Sequence, residues 1–454
     1  MSRISEFYGF QDKTFYRSVF KVCLPIAVQQ TINFTLQLVD NIMVGSLGDT
    51  TIAAVALANQ VSFVIMILNM GLCAAGTAFA SQHWGRGDVP SIRRTLGLVL
   101  EGTGVMGILF FALSQLVPEF LLSIFSSDAA VIAEGTIYLK AVGYTFLLQP
   151  IILSVGSILR SMEELKIPTV TTVLGVATNC VFNYLMIFGK LGFPVMGVAG
   201  AAYATNIANI VNCTVLLLWT YKKKVPLVTD HSPLFRGMPG YPVRFLKRAI
   251  PILGNEALWA GAQTVLVLIY ARLGTQMSAA MGIFNVLERI ALLFFMALSN
   301  GCVVIVGKEL GQEHLNTAFT YATRLRRLAI SAAFIMGPLV NIIGPMILSL
   351  YNASELAKYI VVCNLFTLAI KLPFEAHNFM MAVGVLRAGG DTRFAFVMDS
   401  GAHWVLNVPF LLLGAFIIQA PLQWVFAFTL PADLIKMYLG WRRFYSRKWI
   451  NVLR

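Results

Sequence analysis

Seven carboxylate side chains lie within long apolar stretches of this 454-residue sequence. They are Asp40, Glu101, Glu256, Glu288, Glu375, Asp399 and Asp433. An ionised side chain inside the hydrocarbon core of a membrane costs about 2.5 kcal/mol or more, so such residues usually have a function. A carboxylate in these surroundings can bind a proton, a metal cation or an organic cation, and can release it when its surroundings change. These acids are therefore the first candidates for chemistry.

Asp40 lies 19 residues beyond Lys21, which is about 28 Å along the first predicted helix and in the outer half of a membrane. Gln37, three residues before Asp40, and Asn33, four residues before Gln37, share its helical face. No basic residue lies within one helical turn of it. Asp40 is either an outer-end residue that reaches the headgroups or a carboxylate that binds a proton or a cation, and we favour the second interpretation.

Glu256 lies eight residues past Arg248, about 12 Å into the seventh predicted helix, within the stretch Gly254-Asn-Glu-Ala-Leu-Trp259. It could be an acid that extends toward the cytoplasmic headgroups. It could also bind a coupling cation.

Glu375 lies close to the middle of the tenth predicted helix, two residues after Pro373. Proline removes a backbone hydrogen bond, so we expect a break or bend that would free carbonyl groups to coordinate a cation. Lys371 precedes Glu375 by four residues and could instead neutralise it. Asp399, with His403 four residues later, could form a proton relay or a structural polar contact.

The remaining acids have weaker claims. Glu288 and its neighbour Arg289 point about 100° apart on one helix, so each needs its own partner, and both could be packing charges. Asp433 pairs readily with Lys436, and Glu101 lies near the predicted cytoplasmic entrance. For Asp433 and Glu101 we favour a structural role.

The elements that carry these acids are predicted to be membrane-spanning helices. The sequence is 57% hydrophobic and 12% charged, with a mean hydropathy of +0.75, which places it in lipid. A hydrocarbon core needs about 20 apolar residues per helix, and about twelve such runs occur. They cover 22–44, 52–80, 94–117, 131–158, 168–189, 195–221, 246–271, 279–305, 325–349, 357–386, 394–418 and 421–441. The fold class is therefore an all-α integral membrane protein.

The net charge of +13 follows the alternation of the loops. Most Lys and Arg residues lie in the N-terminal arm, in the central polar stretch, in alternate connections and in the tail. By the positive-inside rule both termini are cytoplasmic, so the basic balance reflects topology and argues against nucleic-acid binding. The six cysteines lie in apolar runs without CxxC spacing, which gives no support to metal or disulfide chemistry.

The two halves of the sequence repeat each other at an offset of about 226 residues. Leu24-Pro25-Ile26 aligns with Ile250-Pro251-Ile252, and Gly85 aligns with Gly311. We therefore predict an N-terminal six-helix bundle at 1–221, a cytoplasmic linker at 222–247, and a C-terminal six-helix bundle with a short tail at 248–454. Because six spans is an even number, the bundles enter the membrane in the same direction and a pseudo-two-fold axis relates them, as in known transporters.

Several ordered motifs carry a family resemblance. They are Val39-Asp-Asn-Ile-Met-Val-Gly-Ser-Leu-Gly48, Ala53-Ala-Val-Ala-Leu-Ala-Asn-Gln60, Ser81-Gln-His-Trp-Gly-Arg-Gly-Asp88, Val306-Gly-Lys-Glu-Leu-Gly311 and Val385-Leu-Arg-Ala-Gly-Gly-Asp-Thr-Arg393. Together they resemble the multidrug and toxic compound extrusion (MATE) family, in its bacterial NorM-like branch. The resemblance implies twelve helices in two bundles, alternating access, and antiport of amphiphilic or cationic small molecules against H⁺ or Na⁺.

The resemblance also implies roles for individual residues. The residues that would couple transport to a cation or proton are Asp40, Glu256, Glu375 and Asp399. Glu256 and Glu375 could bind Na⁺, and no other metal ion is expected. Candidates for the substrate cavity are Asn33, Gln37, Asn59, Asn255, Trp259, Glu288 and Asn378. No cofactor is expected beyond the ion gradient. We expect a monomer in the bacterial cytoplasmic membrane whose partners are small amphiphiles, membrane lipids and Na⁺ or H⁺.

The alternative function is a flippase of a lipid-linked or lipid-like substrate. Such proteins typically have extra spans or a strongly cationic lumen, whereas here seven acids lie deep within predicted spans against three deep bases, Arg289, Lys371 and Lys436. That balance favours cationic cargo. An enzyme is disfavoured because the sequence has no GxSxG, HExxH or P-loop motif.

Overall fold

The computed structural model describes residues 12–45, 49–230, 234, 239–349, 351 and 353–453. Every regular element in these ranges is helical. Residues 46–48 of the first motif and residues 231–233 and 235–238 of the predicted linker lie outside the described residues.

Contacts divide the described chain into two units. The N-terminal unit is Val28–Phe245, and the C-terminal unit is Leu246–Arg454 together with the described part of Met1–Ala27. Residues 12–27 therefore pack with the C-terminal unit, whereas the sequence interpretation placed them in the first bundle.

The N-terminal unit contains most of α1 and all of the next eight helices. The bounds are α1 Lys13–Gly45, α2 Asp49–Gly85, α3 Val89–Leu116, α4 Pro118–Ser123, α5 Ala129–Val142, α6 Thr145–Ser161, α7 Lys166–Phe188, α8 Gly197–Lys222 and α9 Pro226–Thr229. Local sequence explains several ends. The Asp88 side chain accepts a hydrogen bond from the Ser91 N–H and caps α3, and Gly189 ends α7 in a left-handed conformation.

The predicted span 131–158 is not a continuous helix. It consists of α5 and α6, which meet at an angle of 49°. Gly143 lies at the junction, where an added Cβ would be 2.3 Å from Ser114 Oγ, so only glycine permits this close approach. Pro150 also removes one hydrogen-bond donor from the first half of α6.

The C-terminal unit follows, and several of its helical segments are π-helical. Its first element is α10 Tyr241–Arg272, of which residues from Leu246 belong to this unit. The long helices that follow are α11 Thr275–Gly311, α12 Leu315–Leu348 and α13 Glu355–Phe379. The shorter segments are a π-helix Met380–Val385, α14 Leu386–Ala388, α15 Thr392–Phe396, π-helices Val397–Gly401 and His403–Asn407, α16 Val408–Leu412, a π-helix Leu413–Ile417, α17 Leu422–Val425, a 3₁₀ helix Phe426–Thr429 and α18 Leu430–Tyr445. The start of α10 lies before the predicted 246, with Pro242 in its first turn, where proline is well tolerated.

The break predicted at Pro373 is absent from α13, which continues as a helix to Phe379. The irregularity comes later, where the chain widens into the π-helix Met380–Val385. The predicted break at Pro373 is therefore wrong. Because proline has no N–H, the Ala369 carbonyl still cannot accept the usual helical hydrogen bond from residue 373.

Ten helices within the described residues are long and apolar enough to cross a membrane, or eleven if α5 and α6 form one span. The twelfth predicted span, 421–441, corresponds to the consecutive helical segments from Leu422 to Tyr445. The observed architecture matches the predicted all-helical membrane protein.

Both units hold the segment that follows their last long helix against a glycine. In the N-terminal unit a Cβ on Gly97 would lie 2.1 Å from the Leu234 carbonyl oxygen. In the C-terminal unit a Cβ on Gly389 would overlap the Trp449 carbonyl oxygen, and the Trp449 side chain is completely buried. The two halves thus share a construction that neither hydropathy nor charge predicts.

The first turns of α1 are anchored in the C-terminal unit. Arg324 Nη1 donates to Asp12 Oδ2 at 2.6 Å, and the Phe15 N–H donates to Asp12 Oδ1 at 3.0 Å. The Phe15 side chain is completely buried, and its ring centroid lies 4.9 Å from that of Tyr321 on α12.

Candidate functional site

Asp40 lies on α1 in the N-terminal unit and is half-buried. Asn183 Nδ2, on α7, donates to Asp40 Oδ1 at 2.6 Å and also lies 3.0 Å from Asn179 Oδ1. Asn179 Nδ2 donates in turn to Thr205 Oγ1, on α8, at 3.2 Å. Neutral amides and a hydroxyl therefore connect this carboxylate to two neighbouring helices.

The sequence carried a signal for this arrangement that our interpretation missed. Asn179 and Asn183 are four residues apart on α7, so their side chains lie on one face of an otherwise apolar helix. Both are buried, and buried amides are normally hydrogen-bonded. A pair of amides at this spacing in a membrane helix indicates a polar partner on a facing helix.

The other predicted cavity residues of this unit stand apart from Asp40. Asn33, Gln37 and Asn59 are exposed, and among the described residues none of them has a hydrogen bond to Asp40. Helical spacing predicted that Asn33 and Gln37 share a face with Asp40. The residue that contacts the carboxylate is Asn183, which lies on α7.

Glu256, on α10 in the C-terminal unit, forms an ion pair with Arg387. Arg387 Nη2 lies 2.7 Å from Glu256 Oε1, and the two side chains are 7% and 19% exposed. Arg387 belongs to α14, which follows the π-helix, and the sequence interpretation assigned it to a cytoplasmic connection. It is buried and is the counter-ion of a predicted coupling residue.

Asp399 is surrounded by three donors or cations. Asn255 Nδ2 donates to Asp399 Oδ2 at 3.1 Å, while Lys436 Nζ donates to Asp399 Oδ1 at 3.1 Å. His403 Nδ1 lies 3.6 Å from Asp399 Oδ1 and 3.3 Å from Lys436 Nζ. The Asn255 side-chain oxygen accepts from the Ser400 hydroxyl at 2.8 Å, which fixes the orientation of the amide.

Glu375 begins a chain of alternating charges. Lys371 Nζ lies 2.7 Å from Glu375 Oε1 and 3.3 Å from Asp433 Oδ2. Lys436 Nζ lies 3.8 Å from Asp433 Oδ1 and 3.1 Å from Asp399 Oδ1. We call Glu375, Lys371, Asp433, Lys436 and Asp399 the ion-pair chain.

Helical spacing positions the members of the ion-pair chain. Lys371 and Glu375 are four residues apart on α13, and Asp433 and Lys436 are three apart on α18, so each pair shares a helical face. The contact of Lys371 with Asp433 joins α13 to α18. Our sequence interpretation anticipated each pair within its own helix and missed the connections between helices.

The remaining predicted residues lie in the same unit with different surroundings. Asn378 is buried, and its Nδ2 donates to the Asp433 backbone carbonyl at 3.0 Å, which ties it to the ion-pair chain. Trp259 and Glu288 are half-buried, and Arg289 is exposed.

The chemistry available to the two units differs. Among the described residues the Asp40 carboxylate has a neutral amide as its partner, so it can accept a proton or attract a cation. The carboxylates of Glu256, Glu375 and Asp399 each contact an ammonium or guanidinium group of the chain. In the described residues no group of three or more His, Cys, Asp or Glu side chains has the arrangement of a metal site.

The sequence also matches known proteins along nearly its whole length. The model of the MatE family matches residues 25–185 and 251–413, two stretches whose starts are 226 residues apart. The transporter YisQ of Bacillus subtilis, itself uncharacterized, is 23% identical, with 97% of this chain and 96% of YisQ covered. The probable multidrug resistance protein NorM of Rhizobium meliloti is 24% identical, with coverage of 95% and 93%.

Solved structures have the same fold. A variant of the Vibrio cholerae MATE transporter VcmN superposes with a TM-score of 0.87 at 19% identity, covering 95% of this chain and 97% of that one. A MATE protein in complex with MaL6 superposes with a TM-score of 0.86 at 17% identity, with coverage of 95% and 96%. The helical membrane fold and the repeated family match together show that the chain belongs to the multidrug and toxic compound extrusion (MatE) family of multi-pass membrane transporters.

Proposed function

We propose that the protein is a secondary active exporter of amphiphilic, often cationic small molecules, driven by antiport of H⁺ or Na⁺ through alternating access. Relatives named as multidrug resistance proteins cover most of the chain, which supports small organic molecules as cargo.

The observation that carries the proposal is the placement of Asp40. Its carboxylate is half-buried on a membrane helix and is held by the Asn183 amide at 2.6 Å. A carboxylate with a neutral partner changes its net charge when it binds a proton or a cation. Binding the coupling ion and binding a cationic substrate would therefore compete at this group, which is the requirement for antiport.

Transport into or out of vesicles under imposed gradients tests the proposal. Purified protein is reconstituted, a fluorescent organic cation is supplied, and H⁺ and Na⁺ gradients are imposed separately. We expect at least one gradient to drive transport and Asp40→Asn to lower its rate by roughly tenfold or more, a typical loss for a proton-transfer group. Glu256→Gln and Glu375→Gln test the predicted coupling residues of the C-terminal unit in the same assay.

Glu101→Gln is the matched control, because Glu101 is an exposed acid on α3 of the same unit as Asp40. Its rate should equal that of the wild type. Full gradient-driven transport by Asp40→Asn, Glu256→Gln and Glu375→Gln would refute the mechanism. Translocation of a labelled lipid without any ion dependence would support the flippase alternative instead.

We also propose that the protein resides in a bacterial cytoplasmic membrane as a monomer, with both termini in the cytoplasm. The distribution of Lys and Arg supports this orientation. The exposed end of α8 offers a test, since Lys222→Cys in a background without the native cysteines should react with an impermeant maleimide only from the cytoplasmic side. Labelling from outside would invert the topology.

A further inference from the structure

The C-terminal unit raises the question of which cation its carboxylates can bind. A sodium ion at Glu256, Glu375, Asp399 or Asp433 needs carboxylate oxygens that are not already neutralised. Glu256 has the Arg387 guanidinium at 2.7 Å, and Glu375 has the Lys371 ammonium at 2.7 Å. The donor set therefore does not fit a bound metal cation.

The Lys371 ammonium occupies a built site. It lies between Glu375 Oε1 at 2.7 Å and Asp433 Oδ2 at 3.3 Å, and it stands 4.7 Å from the centroid of the Phe426 ring. Two carboxylates and an aromatic face are the surroundings in which a bare cation would be held. The Lys371 side chain is only 7% exposed, so water contributes little to its solvation.

The Lys436 ammonium occupies the neighbouring site. It contacts Asp399 Oδ1 at 3.1 Å and Asp433 Oδ1 at 3.8 Å, and its side chain is 5% exposed. Asn255 and His403 complete the surroundings of Asp399. Asp433 therefore contacts Lys371 through Oδ2 and Lys436 through Oδ1.

We propose that Lys371 and Lys436 are built-in counter-cations that exclude Na⁺ from Glu375, Asp399 and Asp433, so that this cluster of the C-terminal unit can bind H⁺ but not Na⁺. This inference rests on the proposed antiport function and specifies which ion these three acids can bind.

Competition explains the exclusion. A sodium ion could enter only if a lysine left its carboxylates, and the displaced ammonium would then be buried without a partner, which is strongly unfavourable. Each ammonium is also tethered to the helix beside its site, so its effective concentration there exceeds that of a free ion in solution.

A proton does not face this competition. Glu375 Oε2, the oxygen that Lys371 does not contact, is buried and accepts no hydrogen bond from the residues that the structure describes. A proton can join this oxygen while Lys371 stays on Asp433. The charged groups around Glu375 are Lys371 from its own helix, Asp433 and Lys436 from α18, and Glu288 from α11.

Thermal unfolding of the detergent-solubilised full chain in NaCl and in KCl tests the inference. The Asp40→Asn chain, which lacks the responsive acid of the N-terminal unit, should have the same Tm in both salts and is the background for the lysine variants. Lys371→Met leaves Glu375 and Asp433 without their ammonium group, so its Tm should be about 2–4 °C higher in 100 mM NaCl than in KCl. Lys436→Met should respond in the same direction through Asp399 and Asp433.

Lys358→Met is the matched control on α13. Lys358 forms an ion pair of 3.1 Å with Glu355, which is 91% exposed, so its removal changes the same charge without opening a buried site. Its Tm should not distinguish the two salts. If Lys371→Met does not accumulate, Lys436→Met and the charge-balanced double variant Lys371→Met with Glu375→Gln provide the measurement.

A sodium-specific rise in the Tm of the Asp40→Asn background would overturn the inference while leaving export by Na⁺ antiport intact. Folded lysine variants that gain no sodium response would also overturn it, because the lysines would then not be what excludes the ion. Failure of the proposed function has a different signature, namely the absence of gradient-driven transport in vesicles.

Discussion

The predicted coupling carboxylates of the two units have opposite kinds of partner. In the N-terminal unit the Asp40 carboxylate is held by the neutral Asn183 amide. In the C-terminal unit Glu256 is held by a guanidinium, and Glu375 and Asp399 are held by ammonium groups. An amide leaves the charge of an acid in place, whereas a cation cancels it. The comparison teaches that two repeats of one family fold can be electrostatically unequal.

The repeat itself shows where the inequality arises. At the offset of 226 residues Asp40 aligns with Leu266 and Glu256 aligns with Gln30, while Glu375 aligns with Leu148 at an offset of 227. The helical framework is duplicated and the charged residues are not. We predict that the halves work as unequal partners, with a responsive acid in the first and neutralised acids in the second.

Removal of the guanidinium at Glu256 should have the largest effect on stability. Arg387→Met leaves a buried carboxylate without a counter-ion, so we expect a loss of about 3–5 kcal/mol, seen as a lower Tm in detergent. The double variant Arg387→Met with Glu256→Gln removes both charges and should recover most of the loss. A single variant as stable as the wild type would show that Glu256 does not depend on Arg387.

Removal of the amide at Asp40 should cost less. Asn183→Leu deletes one hydrogen bond to a charged group, with an expected loss of about 1.5–3 kcal/mol in the same Tm assay. Asp40→Asn added to Asn183→Leu should lower that cost, because a neutral amide needs less solvation than a carboxylate. An equal loss with and without Asp40→Asn would mean that the 2.6 Å contact contributes little.

Each unit has a glycine, Gly97 or Gly389, packed against a backbone carbonyl of a later segment. Substitution of either glycine should therefore have a similar effect on stability. Gly97→Ala and Gly389→Ala each push a Cβ into a backbone carbonyl, so each should destabilise the protein by about 1–3 kcal/mol. Gly282→Ala is the control, because no atom lies within 4 Å of its Cβ position and alanine favours a helix. A large effect in one unit alone would show that the close approach supports only that unit.

The smallest expected effect lies outside the membrane spans, at Asp12. Burial would raise the pKa of its carboxyl, but the hydrogen bond from the Phe15 N–H and the Arg324 guanidinium outweigh burial and hold the pKa below its usual value. Because the folded state has the lower pKa, the contact stabilises the protein above about pH 4 and is lost as the pH falls further.

Asp12→Asn should therefore lower stability by about 0.2–1 kcal/mol at pH 7, and by less at pH 3. Tm measured across this range checks the sign. A difference between variant and wild type that grows toward low pH would contradict the assigned role of Arg324.

Sequence patterns predicted the helical spans and the acids within them, because hydropathy and charge act locally along the chain. They could not predict the partner of Glu256, which lies 131 residues away on another helix. Nor could they locate the junction at Gly143, which depends on Ser114 of a neighbouring helix, or show that α13 continues through Pro373. The pairs within one helix, such as Lys371 with Glu375, were accessible from spacing alone.

The anchoring of α1 also fixes an order of events during biosynthesis. Phe15 and Asp12 leave the ribosome first, yet their partners Tyr321 and Arg324 are made some 300 residues later. All residues of the N-terminal unit are present once Phe245 is synthesised. The C-terminal unit, in contrast, includes residues 12–27, which are made before any residue of the N-terminal unit. The contacts of residues 12–15 with α12 can therefore form only after the N-terminal unit has been synthesised.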